Sequence, residues 1–196
     1  MELVWQGQKG DANAVNELFV RYIPRMRRYL NVHIPVRQRC YVDPEDVLQE
    51  SLIVATRRLP ELELRSPASI MQWLSKIAEY KISERREYLQ AERRNPAKES
   101  PIGVGVDSEE LVGLQLPSHD PTPSQFFARN EMEQLMDQQL SELEPEEYRE
   151  VILERDYLDA DWESIRVRFG RPTIEAAQDL YHRAHKRWHE RISRYL

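Results

Sequence analysis

Wherever this chain is periodic, its apolar residues recur at spacings of three and four, and the strict alternation of a half-buried strand is missing throughout. That pattern restricts the chain to an all-α fold built from amphipathic helices. From Asp11 to about His33, the residues Val15, Leu18, Phe19, Tyr22, Met26, Tyr29 and Leu30 form one apolar stripe. Pro24 lies inside this stretch, and a proline there predicts a kink or a break between two shorter helices. The opposite face carries Arg21, Arg25, Arg27 and Arg28, either a solvated face or a contact surface.

The next start is well marked. Asp43 can cap a helix, Pro44 suits its first position, and Glu45 and Asp46 place negative charge against the free backbone N–H groups. Val47, Leu48, Leu52, Ala55 and Leu59 supply the buried side, and Pro60 ends it. A third helix begins at the Ser66–Pro67 pair. It runs through Ile70, Trp73, Leu74, Ile77, Ala78 and Ile82, then passes into a basic end before Pro96. None of these helices can bury its stripe alone, so the three are expected to form one bundle over residues 1–95.

Residues 95 to 123 differ in kind, with five prolines, three of the six glycines, and Asp107, Glu109 and Glu110 close together. This composition predicts a flexible linker over 96–122. Helical spacing resumes at Pro123, with Phe127, Leu135, Met136 and Leu140 as core candidates, and a second helix near Pro145 buries Tyr148, Val151 and Ile152. A short helix follows from Asp161 to Phe169, then Gly170 for a left-handed turn, then a long helix from Thr173 that buries Ala176, Ala177, Leu180, Ala184, Trp188 and Ile192. Short helix, glycine turn and longer helix make a helix-turn-helix pattern in a second small domain, 123–196.

Charge and composition narrow the function. The net charge of −6 argues against an independent nucleic-acid binder, because affinity for DNA comes largely from neutralising phosphates. The acidity is uneven: residues 1–95 carry a net +3, residues 96–140 a net −6 and residues 141–196 a net −3. A protein delivered to DNA by a larger basic partner needs less positive charge of its own. The single cysteine, Cys40, excludes an intrachain disulfide and a paired-cysteine metal site, and reads as a buried or half-buried packing residue. No apolar run has the length of a membrane span, so a cytoplasmic protein with no membrane partner is expected. Glu45, Asp46 and Glu50, or His182 with His185, lack the supporting ligands and bases that catalysis or metal binding requires. No enzyme, catalytic residue, metal or cofactor is therefore expected.

Four stretches in order resemble the extracytoplasmic-function group of bacterial sigma factors. GDANAVNELFVRYIPRMRRYL is similar to the family's opening helix. VDPEDVLQESLIVATRRL, Val42 to Leu59, has the acidic start, the Gln-Glu pair and the basic end of the family's polymerase-binding helix. The resemblance implies that Asp43, Asp46, Gln49, Glu50 and Arg57 meet core RNA polymerase, mainly the clamp of its largest subunit. SIMQWLSKIAEYKISERREYLQAERR, Ser69 to Arg94, is similar to the helix that holds the melted downstream promoter element. There Tyr80 is placed either to stack on an unpaired base or to pack at the edge of the bundle, with Lys81, Arg85 and Arg86 on the backbone. Glu79 and Tyr80 replace the family's usual Arg-Asn, and Glu79 would repel phosphate if it faced DNA.

The last stretch runs from LSELEPEEYREVILERDYLDADWESIRVRFG to LYHRAHKRWHERI. By resemblance it reads the upstream promoter element with Arg171, Thr173, Gln178, Arg183 and Lys186. Its recognition helix departs from the family, offering Glu175 and Asp179 where basic and hydroxyl residues are usual. The implied function is a sigma factor that directs promoter recognition, promoter melting and transcription initiation. Its partners would be core polymerase, promoter DNA and an anti-sigma protein. Two alternatives remain open: an interaction protein that has lost promoter readout, and a stand-alone helix-turn-helix regulator.

Overall fold

A computed structural model describes residues 2–63, 68–94 and 123–195. The Ser66–Pro67 start and the expected linker lie outside the described residues, as does the side chain of Phe127. The fold is all-α. Four helices form a first group: α1 (Glu2–Gln8), α2 (Ala12–His33), α3 (Pro44–Arg58) and α4 (Ala68–Arg94). Four more form a second: α5 (Pro123–Ser141), α6 (Glu146–Ile152), α7 (Trp162–Arg168) and α8 (Ile174–Ile192).

Helix α1 is an element that periodicity did not announce. It packs on α2 and on the turn after α3. Gly7 makes the close approach possible, since a Cβ there would stand 2.9 Å from both Leu59 and Val15. Gln8 then ties α1 to that turn by donating to the carbonyls of Leu59 at 3.1 Å and Leu62 at 2.7 Å.

Asp11 caps α2 by accepting from the amides of Asn13 and Ala14. Of the kink or break expected at Pro24, the break does not occur: α2 is one continuous helix with the proline inside it. A proline forfeits one backbone hydrogen bond. Phe19, Ile23, Met26 and Tyr29 are all buried around it, each contributing on the order of 1.5–3 kcal/mol, which outweighs that loss. Helices α3 and α4 close over α2, with Val47, Leu48, Leu52, Leu74, Ile77 and Ile82 in the shared core. Cys40 is exposed, contrary to its expected packing role: in the connection between α2 and α3 it is Ile34 and Val42 that turn into the core, and Cys40 faces outward.

In the second group α8 is the axis, packed against α5, α6 and α7. Helix α6 widens into a π turn over Leu153–Tyr157. This turn points Tyr157 inward, and Asp159 beyond it adopts φ 53°, a left-handed conformation that aspartate tolerates better than most residues.

The two groups meet where α5 and the π turn lie against α2. Arg28 donates to Asp137 on α5 at 3.1 and 3.4 Å, and the Tyr157 hydroxyl donates to the same carboxylate at 3.1 Å. Arg25 pairs with Asp159 at 2.6 Å, and Gln72 donates to the Leu158 carbonyl at 3.4 Å. Burial raises the pKa of Asp137, against the opposing pull of Arg28.

His33 ends α2 inside this junction. It is stacked on Tyr29 with ring centroids 5.3 Å apart, its Nδ1 has no hydrogen-bond partner, and Glu150 lies 3.8 Å away. Burial lowers its pKa, with Glu150 and Glu79 opposing and Arg149 and Arg86 assisting. The unfolded chain therefore binds a proton at His33 more readily than the folded one does. This residue's contribution to stability is present above the ordinary histidine pKa and falls as the pH drops through it. The stability advantage of wild type over His33→Gln is expected to shrink between pH 7 and pH 5, as measured by urea denaturation at both pH values. An unchanged difference would rule out this role.

Candidate functional site

The first surface is built on α3. Asp43 is spent on the helix start, where it accepts from the Glu45 amide at 2.7 Å. Asp46 and Gln49 are exposed one turn on, and Glu50 is half-buried beside them. Arg57 is exposed at the far end of the helix. Glu45 is held by Arg27 of α2 through contacts of 2.5 and 3.2 Å.

Helix α4 crosses this surface with the residues expected at the downstream promoter. Arg85 reaches Asp46 at 3.1 Å and Glu50 at 2.6 Å, so one guanidinium joins two carboxylates on successive turns of α3. Burial opposes its charge, but the hydrogen bonds and attraction of Glu50 and Asp46 prevail and raise its pKa. Arg86 donates to the side chain of Gln38 at 2.7 Å, and Lys81 pairs with Glu84 at 2.6 Å. Each expected backbone-contacting cation on α4 thus has an internal partner.

Tyr80 stands apart from them with 66% of its surface exposed, so it is not a packing residue. Glu79 turns the other way. Its carboxylate accepts from the buried hydroxyl of Tyr29 at 2.9 Å, which gives the acidic residue a structural partner on α2. Sequence alone could not pair residues on two different helices through this bond.

The arginines of α2 are likewise engaged: Arg21 with Glu17, Arg25 with Asp159, Arg27 with Glu45 and Arg28 with Asp137. Two of the four, Arg25 and Arg28, join the two helical groups.

The second surface is the α7–α8 pair. Asp161 caps α7, accepting from the Ser164 amide and hydroxyl at 2.9 Å each, and these bonds lower its pKa. Gly170 supplies the turn with φ 59°, and Arg166 braces it by donating to the Arg171 carbonyl at 3.2 Å. Thr173 caps α8 through a bond from the Ala176 amide at 3.2 Å. Arg171 is paired with Glu147 of α6. Gln178 is half-buried, whereas Arg183 and Lys186 are exposed further along. Around the helix start, Val167 and Ile174 are exposed apolar residues, with Glu175 and Asp179 exposed nearby.

What orients α8 was not legible as a motif. Asp156, on the π turn, accepts from Tyr181 at 2.7 Å and lies 2.9 Å from His185 Nε2. Trp188 donates to the Met136 carbonyl at 3.3 Å, fastening α8 to α5. Among the described residues no group of three or more His, Cys, Asp or Glu could hold a metal ion, and no helix is long and apolar enough to cross a membrane.

No family model matches the chain. It is similar to the proteins named ECF RNA polymerase sigma-E factor of Salmonella typhimurium (strain LT2), Escherichia coli (strain K12) and Shigella flexneri. Each is 28% identical over 163 residues, which is 83% of this chain and 78% of the relative. Among solved structures, CnrH in complex with the cytosolic domain of CnrY shares the fold, with a TM-score of 0.52 at 16% identity. That match covers 97% of this chain and 95% of the other.

Proposed function

We propose that this chain, a member of the extracytoplasmic-function (group IV) family of bacterial sigma factors, binds core RNA polymerase and directs promoter recognition, melting and transcription initiation. Sigma factors are regulatory rather than catalytic proteins. The observation that carries the proposal is the pairing of two surfaces on one bundle. Asp46 and Gln49 of α3 are exposed for a protein partner, and α4 beside them presents Tyr80 outward. A base freed from its stack can lie on that ring, a contact worth roughly 1–3 kcal/mol. With Glu79 bonded to Tyr29, its charge has a partner other than an approaching strand.

In this reading residues 1–95 form the polymerase and downstream-promoter unit, 96–122 connect it, and 123–196 carry the upstream-promoter unit. Arg183 and Lys186 would contact phosphate, with Gln178 reading a base. The protein would work in the cytoplasm. The solved relative's complex with the cytosolic domain of CnrY supports a partner of that kind, an anti-sigma protein, for this chain too.

A second reading rests on α8. Its start exposes Val167, Ile174, Glu175 and Asp179, a surface better suited to protein than to phosphate. The chain would then bind polymerase without reading an upstream element.

Transcription in vitro with purified core polymerase separates the two. Promoter-specific transcripts from fragments of the source genome, made only when the protein is added, are the expected result. Tight binding to core enzyme with no such transcript would favour the second reading, and no binding would sink both.

A further inference from the structure

Arg85 occupies an unusual position among the cations of α4. Lys81 is paired within its own helix, and Arg86 is held by a neutral amide. Arg85 alone of the three is held by α3, and by two of the carboxylates proposed to face polymerase, at 3.1 and 2.6 Å. Its side chain is 26% exposed, that of Glu50 25%, and that of Asp46 56%. The clasp is therefore open on its Asp46 side and reachable by an incoming basic group. Ion pairs at such partly exposed sites are individually weak, so a competing partner can exchange them. A guanidinium fork fits a phosphate as well as it fits a carboxylate.

We infer that Arg85 is a coupling residue, held by Asp46 and Glu50 in the free protein and released to a promoter-strand phosphate when polymerase engages those carboxylates. The inference rests on the functional reading above, and adds to it a residue through which occupancy of the α3 surface controls the charge on α4. The side chain serves one surface at a time. In the free chain its charge is neutralised internally, which lowers the attraction of α4 for DNA.

The test needs no polymerase. The full chain is titrated with a fluorescent single-stranded oligonucleotide, and affinity is followed by anisotropy over a series of salt concentrations. Neutralising the clasp with Asp46→Asn and Glu50→Gln is expected to tighten binding roughly 3- to 10-fold. The slope of log K against log salt should steepen by about 0.7, the equivalent of one added phosphate contact on a single strand. In an Arg85→Ala background the same pair of changes should leave the slope unaltered and raise affinity no more than about 2-fold, since only general repulsion is relieved. Arg85→Gln repeats the comparison in a second background, and thermal unfolding of each variant separates a folding defect from a binding effect. Equal tightening with and without Arg85 would overturn the inference, because repulsion alone would explain it. No tightening in either background would also overturn it and leave Arg85 as a brace between helices. Binding of the wild-type chain to core polymerase is measured separately, so failure of the functional reading is seen independently of the Arg85 result.

Discussion

Core RNA polymerase is expected to bind the double variant Asp46→Lys, Gln49→Lys roughly 30- to 1,000-fold more weakly than wild type, the equivalent of about 2–4 kcal/mol. Both side chains are exposed on α3, Gln49 without a hydrogen-bond partner among the described residues. Placing two cations there reverses the charge offered to a basic partner, and like-charge contacts across an interface are costly. The fold should survive the change. Asp46 gives up its contact at 3.1 Å and its favourable charge in the first turn of α3, the latter worth about 0.3–1 kcal/mol, while Glu50 keeps Arg85 at 2.6 Å, and the cap residue Asp43 is untouched. Affinity can be measured by titrating labelled protein with core enzyme, with thermal unfolding as the check on folding. Near-wild-type affinity in a folded variant would remove α3 as the docking surface.

Arg28→Ala should be the most destabilising polar substitution at the junction of the two helical groups, at about 3–5 kcal/mol near pH 7. The reason is an asymmetry in burial. Arg28 has a side chain 40% exposed, but the carboxylate it satisfies has only 8%. Removing the arginine leaves that carboxylate in low dielectric with the Tyr157 hydroxyl, at 3.1 Å, as its remaining side-chain donor among the described residues. Removing Asp137 instead leaves a cation that water can reach, so Asp137→Asn should cost less.

The pH dependence follows from the same geometry. Burial already raises the Asp137 pKa, and loss of Arg28 removes the main group that opposes the rise, leaving only the Tyr157 hydrogen bond against it. The folded variant then takes up a proton at higher pH than its unfolded chain does, and gains stability as the pH falls toward the unfolded value. The deficit of Arg28→Ala relative to wild type should therefore narrow between pH 7 and pH 5, and Asp137→Asn placed in the same chain should recover part of it. Urea denaturation followed by tryptophan fluorescence measures all three, since Trp188 is anchored to α5 through the Met136 carbonyl. A deficit below about 1 kcal/mol would mean that the buried carboxylate is satisfied some other way.

Local chemistry made much of this protein readable in advance. Asp43 followed by Pro44, Asp161 before Trp162 and Thr173 before Ile174 each announced a helix start, and each caps one. Gly170 announced the turn between α7 and α8 and adopts the left-handed conformation there. These signals act over three or four residues, where one side chain answers one or two backbone groups. Pro24 shows where such local signals stop, because α2 continues through it. Its local penalty is real, but the burial of Phe19, Ile23 and Met26 around it is a property of the whole bundle.

The arrangement of charge was out of reach from sequence. Spacing along the chain said that Arg85, Glu79 and Arg28 lie on helices, but not what they face. Glu79 meets a hydroxyl 50 residues away, Arg85 a carboxylate 35 residues away and Arg28 a carboxylate 109 residues away. Helical periodicity selects which stripe of each helix is buried, because burying apolar area requires only a face. It does not select which helix covers that stripe or at what angle. Those follow from the shapes that interlock once the helices pack, and only then does each long polar side chain find its partner.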